Sequence, residues 1–306
     1  MTISGVVYTL LLLTLSMVNQ VWALAALLFC FGFSRSFYTM SVNTNAIEVQ
    51  RLYEEPIVAS FHGAWSLASF VAAGIGTFMI SQNIDPTIHF IAISLIVTVL
   101  LIFNKRGGNK RDANAERKPF FIKPDRYLLI LGLISFCTMM CEGTVFDWGV
   151  NYFEKVVKAD RHLVTAGYTA FLATMTLGRL IGDKIIAYLG LQKVLMVNGL
   201  CMAAGFLIVV IFPSVWSAAF GFLLIGLGDS IIIPTLYSLA GKSARMKPAY
   251  AIASVSMIGY IGFLAAPLIV GSLSEAWGMS SAFVLMSVLS FFIFVFTVVL
   301  GRTHNG

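Results

Sequence analysis

Ten runs of apolar residues, each 16 to 26 long, divide this chain and decide what it can fold into. They fall at about 3–18, 21–44, 57–81, 86–103, 127–152, 163–183, 191–212, 214–239, 248–273 and 280–301. A helix needs roughly 20 apolar residues to cross the hydrocarbon core of a bilayer, so the runs predict ten transmembrane helices. Period-two alternation is absent, which argues against an outer-membrane barrel. Only 11% of the 306 residues are charged, against about 25% in a soluble domain. That excludes a water-soluble globular protein, a disordered chain and a nucleic-acid module. The opening MTISGVVYTLLLLTLSMV has no basic stretch and no small-residue cleavage site, so it is not read as a signal peptide. Cys30, Cys137, Cys141 and Cys201 all lie inside apolar runs, leaving no disulfide framework or CxxC metal site. The predicted class is an all-α integral membrane protein.

One connection is long. Residues 104–126, NKRGGNKRDANAERKPFFIKPDR, form a polar, basic segment between the fourth and fifth runs. It predicts an N-terminal bundle over 1–103, a linker over 104–126 and a six-helix C-terminal bundle over 127–306. Cytoplasmic loops are enriched in Lys and Arg. Placing this loop in the cytoplasm puts sixteen of the twenty Lys and Arg residues on that side, with Arg179, Lys184 and Lys193 among them. Only Lys155, Lys158 and Arg161 then face outward, and Arg35 sits inside a run. Both termini are predicted to be cytoplasmic. The net charge of +6 is thus a matter of topology and calls for no acidic partner.

The chain also repeats itself. Gly32-Phe-Ser-Arg35-Ser36 in the second run is matched by Gly226-Leu-Gly-Asp229-Ser230 in the eighth, 194 residues later. Pro56 and Pro248, at the start of the following runs, are 192 apart. The offset is six helices, an even number, so the copies share one orientation. If the unit is six helices, the first unit should begin about 68 residues before Met1. The expectation is ten of twelve helices, with two more apolar stretches in frame upstream and a 306-residue form that is inactive alone.

Several motifs point to a family. Gly178-Arg179-Leu-Ile-Gly182-Asp183-Lys184, continuing to Gly190 and Lys193, resembles the GxLxDRxGRK loop motif of the major facilitator superfamily, in its second-half copy. The stretches SVNTNAIEVQRLY (41–53), SFHGAWSL (60–67), CEGTVFDW (141–148) and GYIGFLAAP (259–267) resemble its fucose-permease-like bacterial branch. The resemblance implies a two-bundle fold in the bacterial inner membrane. It further implies alternating access, and a central cavity lined by the first, fourth, seventh and tenth helices.

Ionisable residues at mid-membrane depth are costly and hence functional candidates. Arg35 lies beside a polar stripe of Ser34, Tyr38, Ser41 and Asn45, and Asp229 holds the equivalent depth in the other bundle, near Ser230, Pro234 and Tyr237. In the resembling fold they would sit on the fourth and tenth helices. They are either a substrate-binding or gating pair across the cavity, or residues satisfied within their own bundles. A kink is expected at Pro234. Glu142 and Asp147, about 140° apart on one helix, are candidates for proton coupling, Asp147 being equally a structural group near the outer end. His62, Trp65 and Ser66 share a face suited to a sugar, unless SFHG is a packing and capping element. Gly178 and Gly182 allow close helix approach. Asp183, with Arg179 and Gly190 in the same motif, is expected to meet a helix N-terminus or a cation and latch one conformation.

The histidines are scattered, and no HExxH, GxSxG or P-loop is present, so an enzyme is not expected. The reading is a secondary transporter of a small polar solute, a sugar, with proton coupling, acting as a monomer without cofactors. A complete ten-helix drug/metabolite-type carrier is the alternative, although it calls for an inverted five-plus-five repeat. A truncated, non-transporting membrane protein is the other.

Overall fold

In a computed structural model, residues 2–50, 52–53, 57–82, 84–103, 124–243 and 245–304 are described. Residues 104–123, most of the expected linker, lie outside them, as do Arg51, Glu54, Glu55 and Pro56. Every apolar run is helical. The helices are α1 (Thr2–Leu15), α2 (Val21–Gln50), α3 (Val58–Ser81), α4 (Pro86–Phe103), α5 (Arg126–Lys155) and α6 (Ala166–Leu189). They continue as α7 (Leu191–Ile211), α8 (Val215–Asp229), α9 (Ile232–Gly241), α10 (Pro248–Trp277) and α11 (Met279–His304). Among the described residues, seven segments are long and apolar enough to cross a membrane, with Val215–Gly241 counted as one. The helix α1, of 14 residues, is shorter.

Two expectations need correction. The eighth run is two helices, and the interruption falls at Ser230 and Ile231, not at Pro234. Proline disrupts the turn before it, because its ring crowds the carbonyl four residues back and it has no N–H to donate there. The sixth run ends at Leu189 rather than 183. Charged Asp183 and Lys184 do not stop the helix; Gly190 does, at φ 81°, a conformation that favours glycine. The segment named above as a loop motif is therefore helical from Gly178 to Leu189, and Arg179 is its helix's fourteenth residue rather than part of a cytoplasmic turn.

The chain divides into two compact units. One comprises Met1–Asn45 and Ala68–Ile122. Within it α1 packs on α4, where Ser94 Oγ donates to the Thr9 carbonyl at 3.2 Å. The start of α1 also meets α2, where Ser34 Oγ donates to the Ser4 carbonyl at 3.0 Å. In lipid, large apolar side chains left on helix surfaces carry no penalty, and α2 has many, Trp22, Phe29 and Phe33 among them.

The other unit comprises Ala46–Leu67 and Lys123–Gly306. Asp125 caps α5 by accepting from the Leu128 N–H at 2.8 Å, and α5 runs through the middle of the unit against α10 and α11. Helix α7 lies between α8 and α11, and α6 packs on α8. Glycines set these spacings. A Cβ added at Gly205 on α7 would lie 2.6 Å from the Gly221 carbonyl oxygen on α8, and one at Gly221 would lie 2.7 Å from the Gly205 oxygen. In close approach of this kind, small residues let backbones pack in a bilayer. Tyr152, Phe206, Phe222 and Phe283 fill one end, and Tyr152 donates to the Val209 carbonyl at 3.1 Å.

Candidate functional site

The site grows from a carbonyl with no helical partner. Pro234 supplies no N–H to the carbonyl of Ser230, four residues earlier, and a buried carbonyl without a donor is costly. Arg179 fills that place from α6: its Nε donates to the Ser230 oxygen at 3.0 Å. Gly178 permits the approach, since a Cβ there would collide with the Ser230 side chain. The same guanidinium reaches α5, where Nη2 stands 3.6 Å from Glu142 Oε1. It also reaches α3, where Cζ lies 5.6 Å from the centre of the Trp65 ring. Arg179 thus ties together α3, α5, α6 and the α8–α9 break.

Asp229, the last residue of α8, is within electrostatic range of both Glu142 and Arg179. It is 1% exposed, and neither carboxylate oxygen has a hydrogen-bond partner among the described residues. Arg179 is 4% exposed and Glu142 9%. Two carboxylates therefore share one guanidinium away from solvent. Breaking such a set by removing one member leaves a buried charge uncompensated. All three residues sit near the middle of their spans: Glu142 is the seventeenth of 30 residues in α5, and Asp229 the fifteenth of 27 in Val215–Gly241.

Around this centre the His62 ring on α3 lies 6.1 Å from the Tyr237 ring on α9, and Tyr237 lies against Ser256 of α10. The position of Ser66 is helical, but its side chain is outside the described set. One turn along α6, Asp183 accepts two hydrogen bonds from Ser60 on the first turn of α3, from its N–H at 2.8 Å and from its hydroxyl. Asp183 thereby meets a helix N-terminus, where a carboxylate is favourable. Gly63 lets α3 approach, since a Cβ there would lie 3.0 Å from Leu180. Gly182, next to Asp183 on α6, is buried.

The candidates thus sort by place. Glu142, Arg179, Asp229, Trp65, His62 and Tyr237 come together in one unit. Asp147 is exposed, turned away from buried Glu142 as their spacing on α5 demands, and lies near Tyr168. Arg35 is exposed on α2, Tyr38 is half-buried beside Gly5 of α1, and Asn45 is half-buried at the end of its unit. The grouping of Arg179 with Glu142 and Asp229 was not anticipated. The usable signal was Pro234, whose freed carbonyl at Ser230 required a donor. No group of His, Cys, Asp and Glu that could hold a metal occurs among the described residues.

The sequence is similar over 287 residues to an uncharacterized MFS-type transporter of Yersinia pestis, at 29% identity, covering 94% of this chain and 75% of that one. The fold is similar to the transporter FucP in its outward conformation, with a TM-score of 0.79 at 17% identity, over 98% of this chain and 81% of that one. A second structure of that protein, the E. coli fucose:proton symporter, gives a TM-score of 0.74 at the same identity, over 98% and 82%. The human organic anion transporter TETRAN gives 0.73 at 15% identity, over 97% and 76%. The sequence model of the Major Facilitator Superfamily matches residues 1–249. The chain therefore belongs to the Major Facilitator Superfamily, as a multi-pass membrane protein and secondary transporter that moves small solutes by alternating access and is not an enzyme.

Proposed function

We propose that the protein is a proton-coupled symporter of a small, neutral polar solute, a sugar, in the bacterial inner membrane. The observation that carries this reading is the buried set of Glu142, Arg179 and Asp229. With all three ionised its net charge is −1, and one proton makes it neutral. A set that is costly in one state and balanced in the other is what coupling to a proton requires. The surplus of carboxylate also disfavours an anionic solute, and the fold likeness to a fucose:proton symporter supports a neutral sugar.

In this reading the helices keep the register of the internal repeat. Helices α1–α4 stand for the third to sixth of a fucose-permease-like twelve, and α5–α11 for the seventh to twelfth, with α8 and α9 together the tenth. The bundles are 1–103 and 127–306, joined by a cytoplasmic linker over 104–126, and both termini are cytoplasmic. Trp65 and His62 of α3 and Tyr237 of α9 offer aromatic faces to the solute, and Arg35, Tyr38 and Asn45 of α2 are candidates to bind or gate it. Asp183, capping α3, latches one conformation. Asp147 serves the outer end of α5. The transporter works as a monomer.

The protein, expressed from its full reading frame, is to be reconstituted in liposomes with an alkaline interior. Labelled hexoses, fucose among them, and labelled hexuronates are offered outside. At least one hexose should accumulate, and a protonophore should abolish that accumulation. Glu142→Gln should exchange the hexose but no longer concentrate it. Accumulation that survives the protonophore, or that is confined to hexuronates, would contradict the reading.

A further inference from the structure

Two carboxylates face one guanidinium, but they do not share it equally. Arg179 places Nη2 3.6 Å from Glu142 and commits Nε to the Ser230 carbonyl. Asp229 receives no hydrogen bond from Arg179 or from any other described residue, although it is 1% exposed. The groups facing it are Cys141 and Glu142 from α5 and Arg179 from α6. Tyr237 of α9 is within electrostatic range of Glu142. On the α7 side, a Cβ added at neighbouring Gly228 would lie 2.6 Å from the Asn198 carbonyl oxygen. A buried, ionised carboxylate with no donor is among the costliest arrangements in a protein interior, and such a group neutralises instead.

We propose that Asp229 is the residue that takes up and releases the coupling proton, while Glu142 is a positioning residue that holds Arg179. This rests on the proton-coupled reading above. The proton adds to a carboxylate oxygen of Asp229 to give the neutral acid, and its release restores the carboxylate. Ionised Asp229 competes with Glu142 and Ser230 for the Arg179 guanidinium. The Ser230 carbonyl sits in the break between α8 and α9 and has no intrahelical donor, because Pro234 lacks an N–H. Loss of the proton therefore draws Arg179 off the break, and its return restores the clasp. The chemical state of one side chain is thereby passed to the place where a cavity helix is interrupted.

Infrared difference spectroscopy on the purified protein tests this without a solute. A buried, protonated carboxyl gives a C=O stretching band apart from that of ionised carboxylates. The band should be present near neutral pH and move when aspartate labelled with 13C in its side-chain carboxyl is incorporated. It should stay in place with labelled glutamate and vanish in Asp229→Asn. If Asp229→Asn does not fold, the labelling in the unmodified protein decides alone. A band that moves with glutamate, or the absence of any such band, overturns the assignment. The proton-coupled reading stands or falls separately on protonophore-sensitive accumulation. A coupled protein whose band follows glutamate would keep that reading and discard Asp229.

Discussion

Replacing Arg179 by Met removes a charge while keeping most of the side chain's volume. Arg179 is 4% exposed, so its ion pair with Glu142 is a buried one, and removing one partner of such a pair costs about 3–5 kcal/mol. The same change leaves the Ser230 carbonyl without its donor, a further cost of about 1–3 kcal/mol. Together these reach about 4–8 kcal/mol, a large fraction of the stability of about 5–15 kcal/mol typical of a domain. Arg179→Met alone should therefore be poorly folded in detergent, with a low unfolding midpoint and a broad size-exclusion profile. Two further changes separate the terms. Adding Glu142→Gln and Asp229→Asn removes the carboxylates that face Arg179, the charged one included, and should recover about 3–5 kcal/mol. Adding Pro234→Ala supplies an N–H that can reach the Ser230 carbonyl, and should recover much of the remainder. Unfolding by denaturant in micelles measures the series, provided that every variant unfolds in one transition. A cost below about 1 kcal/mol for Arg179→Met, typical of an exposed pair, would refute the reasoning. So would a triple variant no more stable than the single one.

Other consequences follow from particular contacts. Gly226→Ala places a methyl against the Phe171 carbonyl and Thr174 hydroxyl of α6 and should lower stability by about 1–3 kcal/mol, read as a fall in the thermal midpoint. Asp183→Ala leaves the Ser60 N–H at the start of α3 without its acceptor. It should cost about 0.5–2 kcal/mol in the same assay, as loss of a helix cap does. Asp85 accepts from the Thr87 amide at 2.7 Å beside the start of α4, and bonds from Thr87, from its side chain first, hold its carboxyl below the usual value. Its contribution is therefore present above the unfolded-state pKa and lost as pH falls through the lower folded one. Asp85→Asn should remove that acid-dependent component from a titration of stability.

The helices were legible because a bilayer demands one thing of a spanning segment, a run of apolar residues of the right length. The limits of α4 at 86 and 103 coincide with the run that predicts it. Where charge enters a helix, the same signal misleads. Asp183 and Lys184 mark the apparent end of the sixth run, yet α6 continues six residues past Asp183. That misplaced end hid Arg179, which appeared to belong to a turn and not to the middle of a helix. Glu142 and Asp229 stood out singly as buried charges, but what neutralises them is a matter of tertiary packing. Residues 142, 179 and 229 lie on three helices, and no spacing in sequence joins them. Asp229 was matched with Arg35 by repeat position; within its own unit, Glu142 and Arg179 are in electrostatic range of it.

The central claim is that solute and proton cross together, and the direct measurement is the pH of a weakly buffered medium around proteoliposomes when the solute is added. With no imposed gradient, addition of the transported hexose should make the medium more alkaline as protons enter with it. The change should be abolished by a protonophore and absent in Asp229→Asn vesicles that still exchange labelled hexose. Uptake of the same hexose with no change in external pH would contradict the account.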